Sequence, residues 1–258
     1  MSERHNCTAS VVRVHRQWLE RADAEFGDQI AVVASDGVLS YAALVGQAAA
    51  FAARLQESGE APGSEAVIDL PAGAAFVVAL HAVLLAGYAA RPLDQRLRPR
   101  ERAQALSGAD LVVSRPPPVE RAPLSAVRGF VDLDSVAIVL ETSGTSGAPK
   151  RIGLTHRNWS AQCAASTLSL GLASEDRWLC ALPLSHVAGL AVLMRAASVA
   201  STVTVRSKFD ALEVAEAIAN GSITRISLVA TMLDRVLEQL GPSPAMGLRT
   251  ALIGGGPV

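Results

Sequence analysis

Val136-Ala137-Ile138-Val139-Leu140-Glu141-Thr142-Ser143-Gly144-Thr145-Ser146-Gly147-Ala148-Pro149-Lys150-Arg151-Ile152-Gly153-Leu154-Thr155 is the stretch on which the fold turns. Residues 136–140 and 152–155 are short, β-branched runs that read as strands, and a loop of hydroxyls, glycines and one lysine joins them. Glycines let backbone N–H groups approach phosphate oxygens, hydroxyls add donors, and lysine adds a point charge, so the loop is built for a phosphate. A flexible Ser/Gly surface turn is the plain alternative. Two other loops fail on residues. A Walker A loop needs Gly-Lys-Ser/Thr opening a helix, whereas Pro149 separates glycine from Lys150 and a strand follows. A nucleophile elbow needs Gly-x-Ser-x-Gly, and around Ser146 the last position is Ala148.

On both sides of this stretch, β-branched runs alternate with helical ones, the pattern of parallel βαβ units. Residues 31–34 and 38–40 flank Ser35-Asp36-Gly37, a hairpin signal. Leu44, Ala48, Phe51 and Leu55 recur at helical spacing, and strands are expected at 67–70, 89–92 and 111–114. Residues 72–90 are almost wholly apolar around His81 and precede Arg96, Arg98, Arg100 and Arg102. Pro71, Gly73, Gly87 and Pro92 cut the helical part to about 14 residues, which suits a core helix better than a membrane span. Arg115-Pro116-Pro117-Pro118 breaks the alternation and marks a connector. The expected organisation is thus a first α/β subdomain over 1–115, a Pro-rich connector over 116–130 and a second α/β subdomain over 131–258. In the second, strands are expected at 178–181, 203–205, 226–229 and 248–253, with a helix capped by Asp210. The chain then runs into Gly254-Gly255-Gly256-Pro257-Val258, at the end of a parallel strand where open α/β sheets bind ligands, and reads as interrupted there.

Composition narrows the classes. The chain has 258 residues, half of them hydrophobic and 18% charged, which excludes intrinsic disorder and a disulfide scaffold. The net charge is −1, so no global field draws in nucleic acid or an anionic membrane, and any anion site must be local. Of 23 basic residues only Lys150 and Lys208 are lysines. Cys7, Cys163 and Cys180 are too few and too irregular for a metal knuckle, which with the polar N-terminus points to the cytoplasm. No metal-ligand cluster and no Ser/His/Asp or Cys/His constellation stands out.

The loop at 142–150 resembles, nearly residue for residue, the phosphate loop of the adenylate-forming superfamily of acyl-CoA synthetases, peptide-synthetase adenylation domains and luciferases. Leu39-Ser40-Tyr41-Ala42-Ala43-Leu44 resembles that family's early segment, and Arg91-Pro92-Leu93-Asp94 its "PLD" turn. Leu182-Pro183-Leu184-Ser185-His186-Val187-Ala188-Gly189-Leu190 resembles its next core motif, and residues 253–257 its glycine strand end. The likeness runs from about Trp18 to the last residue. Within the family, His186 with Arg195, and residues 226–231, most resemble the o-succinylbenzoate CoA ligases of menaquinone biosynthesis.

The resemblance implies an N-terminal domain of two mainly parallel sheets with flanking helices, and an AMP-forming acid–CoA ligase that uses ATP, Mg²⁺ and CoA. Thr142, Ser143, Gly144, Thr145, Ser146, Gly147 and Lys150 would hold the phosphates, and Gly254, Gly255 and Gly256 would border the adenine. His186 would line the acyl and pantetheine passage, with Arg195 and Thr231 on the acid; a helix-start histidine and a solvated arginine are the plain alternatives. His156 and His81 read instead as a helix-start and a hydrogen-bonded core residue. Arg151 stands where the family has glycine, Ser185 where it has an aromatic residue, Ala230 where it has proline, and Gly256 where alanine or serine is common. The Ser185 change bears on which acid is taken. The family's later aromatic-Gly-x-Thr-Glu segment and mobile C-terminal domain are absent. A ligase for another aryl or fatty acid, and a catalytically inactive nucleotide-binding module, remain as alternatives. The partners expected are small molecules rather than nucleic acid or membrane, with a homodimer left open.

Overall fold

The computed structural model describes residues 14–129, 131–142, 150–242 and 247–255. Helix α1 (Val14–Phe26) is followed by the hairpin β1 (Ile30–Ala34) and β2 (Gly37–Ser40), then α2 (Tyr41–Gln56), β3 (Glu65–Ile68), α3 (Ala74–Leu85), β4 (Ala89–Pro92), α4 (Pro99–Leu106) and β5 (Leu111–Val113). Beyond the proline connector come β6 (Val136–Thr142), β7 (Lys150–Thr155), α5 (His156–Leu170), β8 (Arg177–Cys180), α6 (Val187–Val199), β9 (Thr202–Val205), α7 (Ala211–Ala219), β10 (Arg225–Val229), α8 (Ala230–Leu240) and β11 (Thr250–Gly254).

These strands form two sheets. The first has the order β11-β10-β8-β9-β1-β2 and the second β5-β3-β4-β6-β7. Neighbours are parallel throughout except for the edge pairs β1–β2 and β6–β7, which are antiparallel. Each sheet therefore takes strands from both sides of the connector. Sheet membership follows pairing between distant segments, which the chain order at residues 116–130 does not encode.

Alternation along the strands explains the layering. Trp178 and Cys180 face one hydrophobic cluster, Leu179 and Ala181 a second. The first cluster lies between the sheets and takes in α1, α2, α3, α5 and α6; the second packs α7 and α8 on the far face of the first sheet. Helix α4 buries none of its residues and covers the outer face of the second sheet. Helix α3 is buried on every side, with 11 of its 12 residues inaccessible, as a helix apolar all round must be. Among the described residues no helix is long and apolar enough to cross a membrane.

Local capping places the motif residues. Ser40 accepts from the Ala43 N–H at the start of α2, which sends the buried Tyr41 hydroxyl to the carbonyl oxygens of Ser201 (2.7 Å) and Ala196 (3.1 Å). The cap of α3 comes from another element: Asp36, in the β1–β2 turn, accepts from Ala74 and Ala75 N–H at 2.8 and 3.0 Å. Asp210 caps α7 through Leu212 and Glu213 N–H, as its spacing to Glu213 predicts. The strand expected at 67–70 begins and ends two residues earlier. At Asp69 the chain leaves the ladder, and the Asp69 carboxylate accepts from Gln95 and Arg102.

His81 is a core residue with a hydrogen bond, to His15: Nε2 of His15 and Nδ1 of His81 lie 2.9 Å apart with the rings stacked. Burial holds His81 down to about 4, keeps His15 well below its usual range, and brings His156, the first residue of α5, to about 4. In the unfolded chain a histidine titrates near 6.5, so His81 contributes nothing to the pH dependence above that value. As pH falls from 6.5 towards 4 the unfolded state takes up a proton that the folded state refuses. At pH 5 the loss from His81 alone is about 2 kcal/mol. Urea unfolding at pH 7 and pH 5 is expected to show this, with the gap between the two narrowing by about that amount in His81→Asn. An unchanged gap would exclude His81 as a source of acid sensitivity.

Candidate functional site

A cleft of about 530 Å³ opens where the C-terminal ends of strands from both sheets meet. Leu70, Pro71 and Ala72 follow β3, and Leu93 to Arg96 follow β4. From the other sheet, Ala181 to Ser185 follow β8, Arg206 to Phe209 follow β9, and Met232 follows β10. Every wall except Phe76 of α3 is thus a segment leaving the carboxyl end of a parallel strand, where open α/β sheets collect their ligands. The floor is apolar and the rim charged, the common make-up of a small-molecule site.

The hairpin of β6 and β7 rises from the same edge of its sheet. Since β6 runs parallel to β4, its last residue, Thr142, lies at that edge, and Thr142 pairs with Lys150 across the ladder. Lys150 is therefore the first, exposed residue of β7 rather than part of the loop. Ser143, Gly144, Thr145, Ser146 and Gly147 lie outside the described residues, as does Gly256. Gly254 ends β11, parallel to β10, and Gly255 takes a φ of 83°, which favours glycine.

Arg151, where the resembled loop has glycine, turns to the outer face of the second sheet. There it pairs with Glu65, while the buried Arg91 binds Glu65 at 2.6 Å and Glu141 at 3.0 Å. Two arginines and two glutamates neutralise one another beneath α4, so the extra cation at the foot of the loop is already matched.

His186 is exposed at the start of α6, and Arg96 Nη2 donates to its Nε2 at 3.1 Å. Arg96 is itself fixed on Asp94, with Nε 3.0 Å from Oδ1 and Nη2 2.7 Å from Oδ2, which holds the Asp94 carboxyl below its usual range. This contact joins the turn after β4 to the segment after β8 across the two sheets. Gly189 explains why that segment sits so close: a Cβ there would stand 2.5 Å from the Pro183 carbonyl oxygen, so the first turn of α6 can fold back on Pro183 only with glycine. Ser185 lines the cleft beside it.

The other residues expected on the acid are not gathered there. Arg195 lies on α6 but is directed at α5, its Nε donating to Ser166 Oγ at 3.1 Å and its guanidinium 5.5 Å over the Trp178 ring. Burial lowers its pKa. Thr231 is exposed on the first turn of α8, next to Met232, which does line the cleft. Sequence reading took Arg96 only as part of a basic flank and assigned no site role to Phe76, Arg206, Lys208 or Met232. Apart from Phe76 on α3, their common signal is position just beyond a parallel strand, legible only once strand pairing is known.

Comparison with known proteins agrees with this geometry. The family model for AMP-binding enzymes matches residues 19–125 and 113–258. The chain is similar to 2-succinylbenzoate–CoA ligase of Bacillus licheniformis, at 32% identity over 94% of this chain and 55% of that protein. Among solved structures it is similar to o-succinylbenzoate CoA synthetase of Bacillus subtilis bound to a product analogue, with TM-score 0.81 and 30% identity over 93% of this chain and 54% of that one. The same synthetase in complex with ATP and magnesium ion superposes with TM-score 0.78, 30% identity and coverage of 93% and 55%. The chain spans about half the length of the relatives it matches.

Proposed function

The chain belongs to the AMP-binding enzyme family, and from that premise we propose that it carries the N-terminal portion of an AMP-forming acid–CoA ligase. The protein would convert o-succinylbenzoate, ATP and CoA to the acyl-CoA, AMP and pyrophosphate. A carboxylate resists nucleophiles and offers no leaving group, so it is first joined to AMP; the CoA thiol then displaces AMP. The observation that supports this reading best is geometric. The β6–β7 hairpin leaves the same sheet edge that walls the cleft, so a nucleotide held there would lie on the same side of the sheet as an acid in the cleft.

In this reading Thr142, Ser143, Gly144, Thr145, Ser146, Gly147 and Lys150 hold the triphosphate and the departing pyrophosphate, and Gly254, Gly255 and Gly256 border the adenine. His186, in contact with the cleft-lining Arg96, would orient the acid or the thiol arm. Arg195 would meet a ligand only by leaving Ser166 and Trp178, and Thr231 only from the edge of the cleft. The described residues contain no group of three or more carboxylates, imidazoles or thiols able to hold a metal. Mg²⁺ would enter with ATP beside the hydroxyl-bearing hairpin and would supply positive charge against the phosphates. A reaction that draws on ATP and CoA suits the cytoplasm.

ATP–pyrophosphate exchange in the protein that carries this chain tests the reading. Exchange that depends on o-succinylbenzoate is expected. Exchange with benzoates or fatty acids but none with o-succinylbenzoate would move the assignment to another acid, a second reading favoured by Ser185 in the cleft wall. Absence of exchange with every acid would refute the ligase reading.

A further inference from the structure

We infer that Lys208 anchors the charged end of an amphipathic, anionic ligand whose apolar body lies along the cleft floor. The inference rests on the ligase reading, in which both organic substrates have this chemistry: an aromatic dicarboxylate, and a long thiol arm ending in phosphates.

Three cations line the cleft, Arg96, Arg206 and Lys208, against a single carboxylate, Asp94. Arg96 is taken up by Asp94 at 2.7 Å, and Arg206 stands 3.3 Å from Glu213. Among the described residues Lys208 has neither an ion-pair nor a hydrogen-bond partner, so the cleft keeps one uncompensated positive charge in a chain whose net charge is −1. Much of the remaining lining is apolar. Leu70, Phe76, Leu93, Leu184, Phe209 and Met232 supply wall and floor, and an ammonium beside such a surface is less screened than one in open water. Lysine also differs here from the arginines that make up nearly all the other basic residues. Its ammonium is a compact point charge on a flexible stem, and it meets a carboxylate or a phosphate oxygen without a fork geometry. The geometry is thus that of a site with an apolar slot and, among the described residues, one cation without an ion-pair partner at its mouth.

Steady-state kinetics of acyl-CoA formation in the protein that carries this chain decides the matter, using wild type, Lys208→Ala, Lys208→Arg and Lys208→Glu. Lys208→Ala is expected to raise KM for one organic substrate about tenfold with kcat little changed, Lys208→Arg to restore it, and Lys208→Glu to raise it further. If the anion is the acid's second carboxylate, the effect disappears with an analogue lacking that group. If it is a CoA phosphate, the effect disappears with pantetheine. Equal KM values for both substrates in Lys208→Ala and wild type would overturn the inference. Should the wild type form no thioester, the ligase reading fails, and calorimetric titration of o-succinylbenzoate and CoA into wild type and Lys208→Ala decides the inference separately. Binding about tenfold weaker in the variant supports it; equal binding, or none by the wild type, overturns it.

Discussion

Replacing Lys150 with alanine is expected to slow acyl-adenylate formation by about 10²- to 10³-fold, the loss typical of removing one preorganised group that meets charge developing in the transition state. The backbone of Lys150 is held by the ladder, opposite Thr142, at the mouth of the β6–β7 hairpin. A charge carried on a strand end does not have to be ordered when pyrophosphate departs, whereas the same charge inside a glycine loop would. The effect should therefore fall on the rate at saturating ATP more than on ATP binding, since charge on the leaving group grows along the reaction. Lys150→Arg keeps the charge and should recover part of the rate. Single-turnover formation of the acyl adenylate, with ATP–pyrophosphate exchange as a second readout, measures both. Unchanged rates in Lys150→Ala would remove this residue from the proposed site.

Asp176→Ala is expected to destabilise the fold by about 3–5 kcal/mol, because it strands a buried guanidinium. Arg225 and Asp176 are each about 1% exposed at the side chain and meet at 2.6 Å. Arg225 also donates to the carbonyls of Leu170 and Gly171 and to Thr250 Oγ1, while Asp176 accepts from Ala173 N–H, Thr224 Oγ1 and Arg249. The network ties the loop after α5 to the N-terminal ends of β8, β10 and β11. Carbonyl dipoles alone cannot replace a carboxylate in a dry interior. The apolar double replacement Asp176→Leu with Arg225→Met should cost less than the sum of the single changes, since it removes both desolvated charges together. Urea unfolding of the three variants measures the coupling; additive losses would show that the two groups do not act as a pair. The network lies at the opposite strand ends from the cleft, so KM values of the folded variants should be unchanged.

Much of the architecture is legible locally. The Ser-Asp-Gly turn, the Asp210 cap and the helix-start position of His156 are decided by neighbours within a few residues, and the structure has each where the pattern puts it. Motif order likewise pointed to the AMP-binding enzyme family, whose model matches residues 19–125 and 113–258. Candidate site residues were named only where they belong to such motifs. The loop at 142–150 suggests phosphate by its composition, but Lys208 belongs to no such motif and is picked out only when three cations are seen around one cleft.

By itself the sequence determined the succession of helices and strands and the burial of α3, because backbone preference, capping and side-chain periodicity act over short spans of chain. Tertiary structure alone decided which strands share a sheet, and with that everything that depends on contact between distant segments. It brought Asp36 to the start of α3, turned Arg195 towards Trp178 and away from the cleft, absorbed Arg151 in a balanced ion network, and set Arg96 against His186. These contacts join residues 38 to 90 positions apart for the capping, ion-pair and rim contacts, and are fixed by packing two sheets around one helical layer. No local pattern encodes that choice, since it is the burial of apolar faces from remote parts of the chain that selects it.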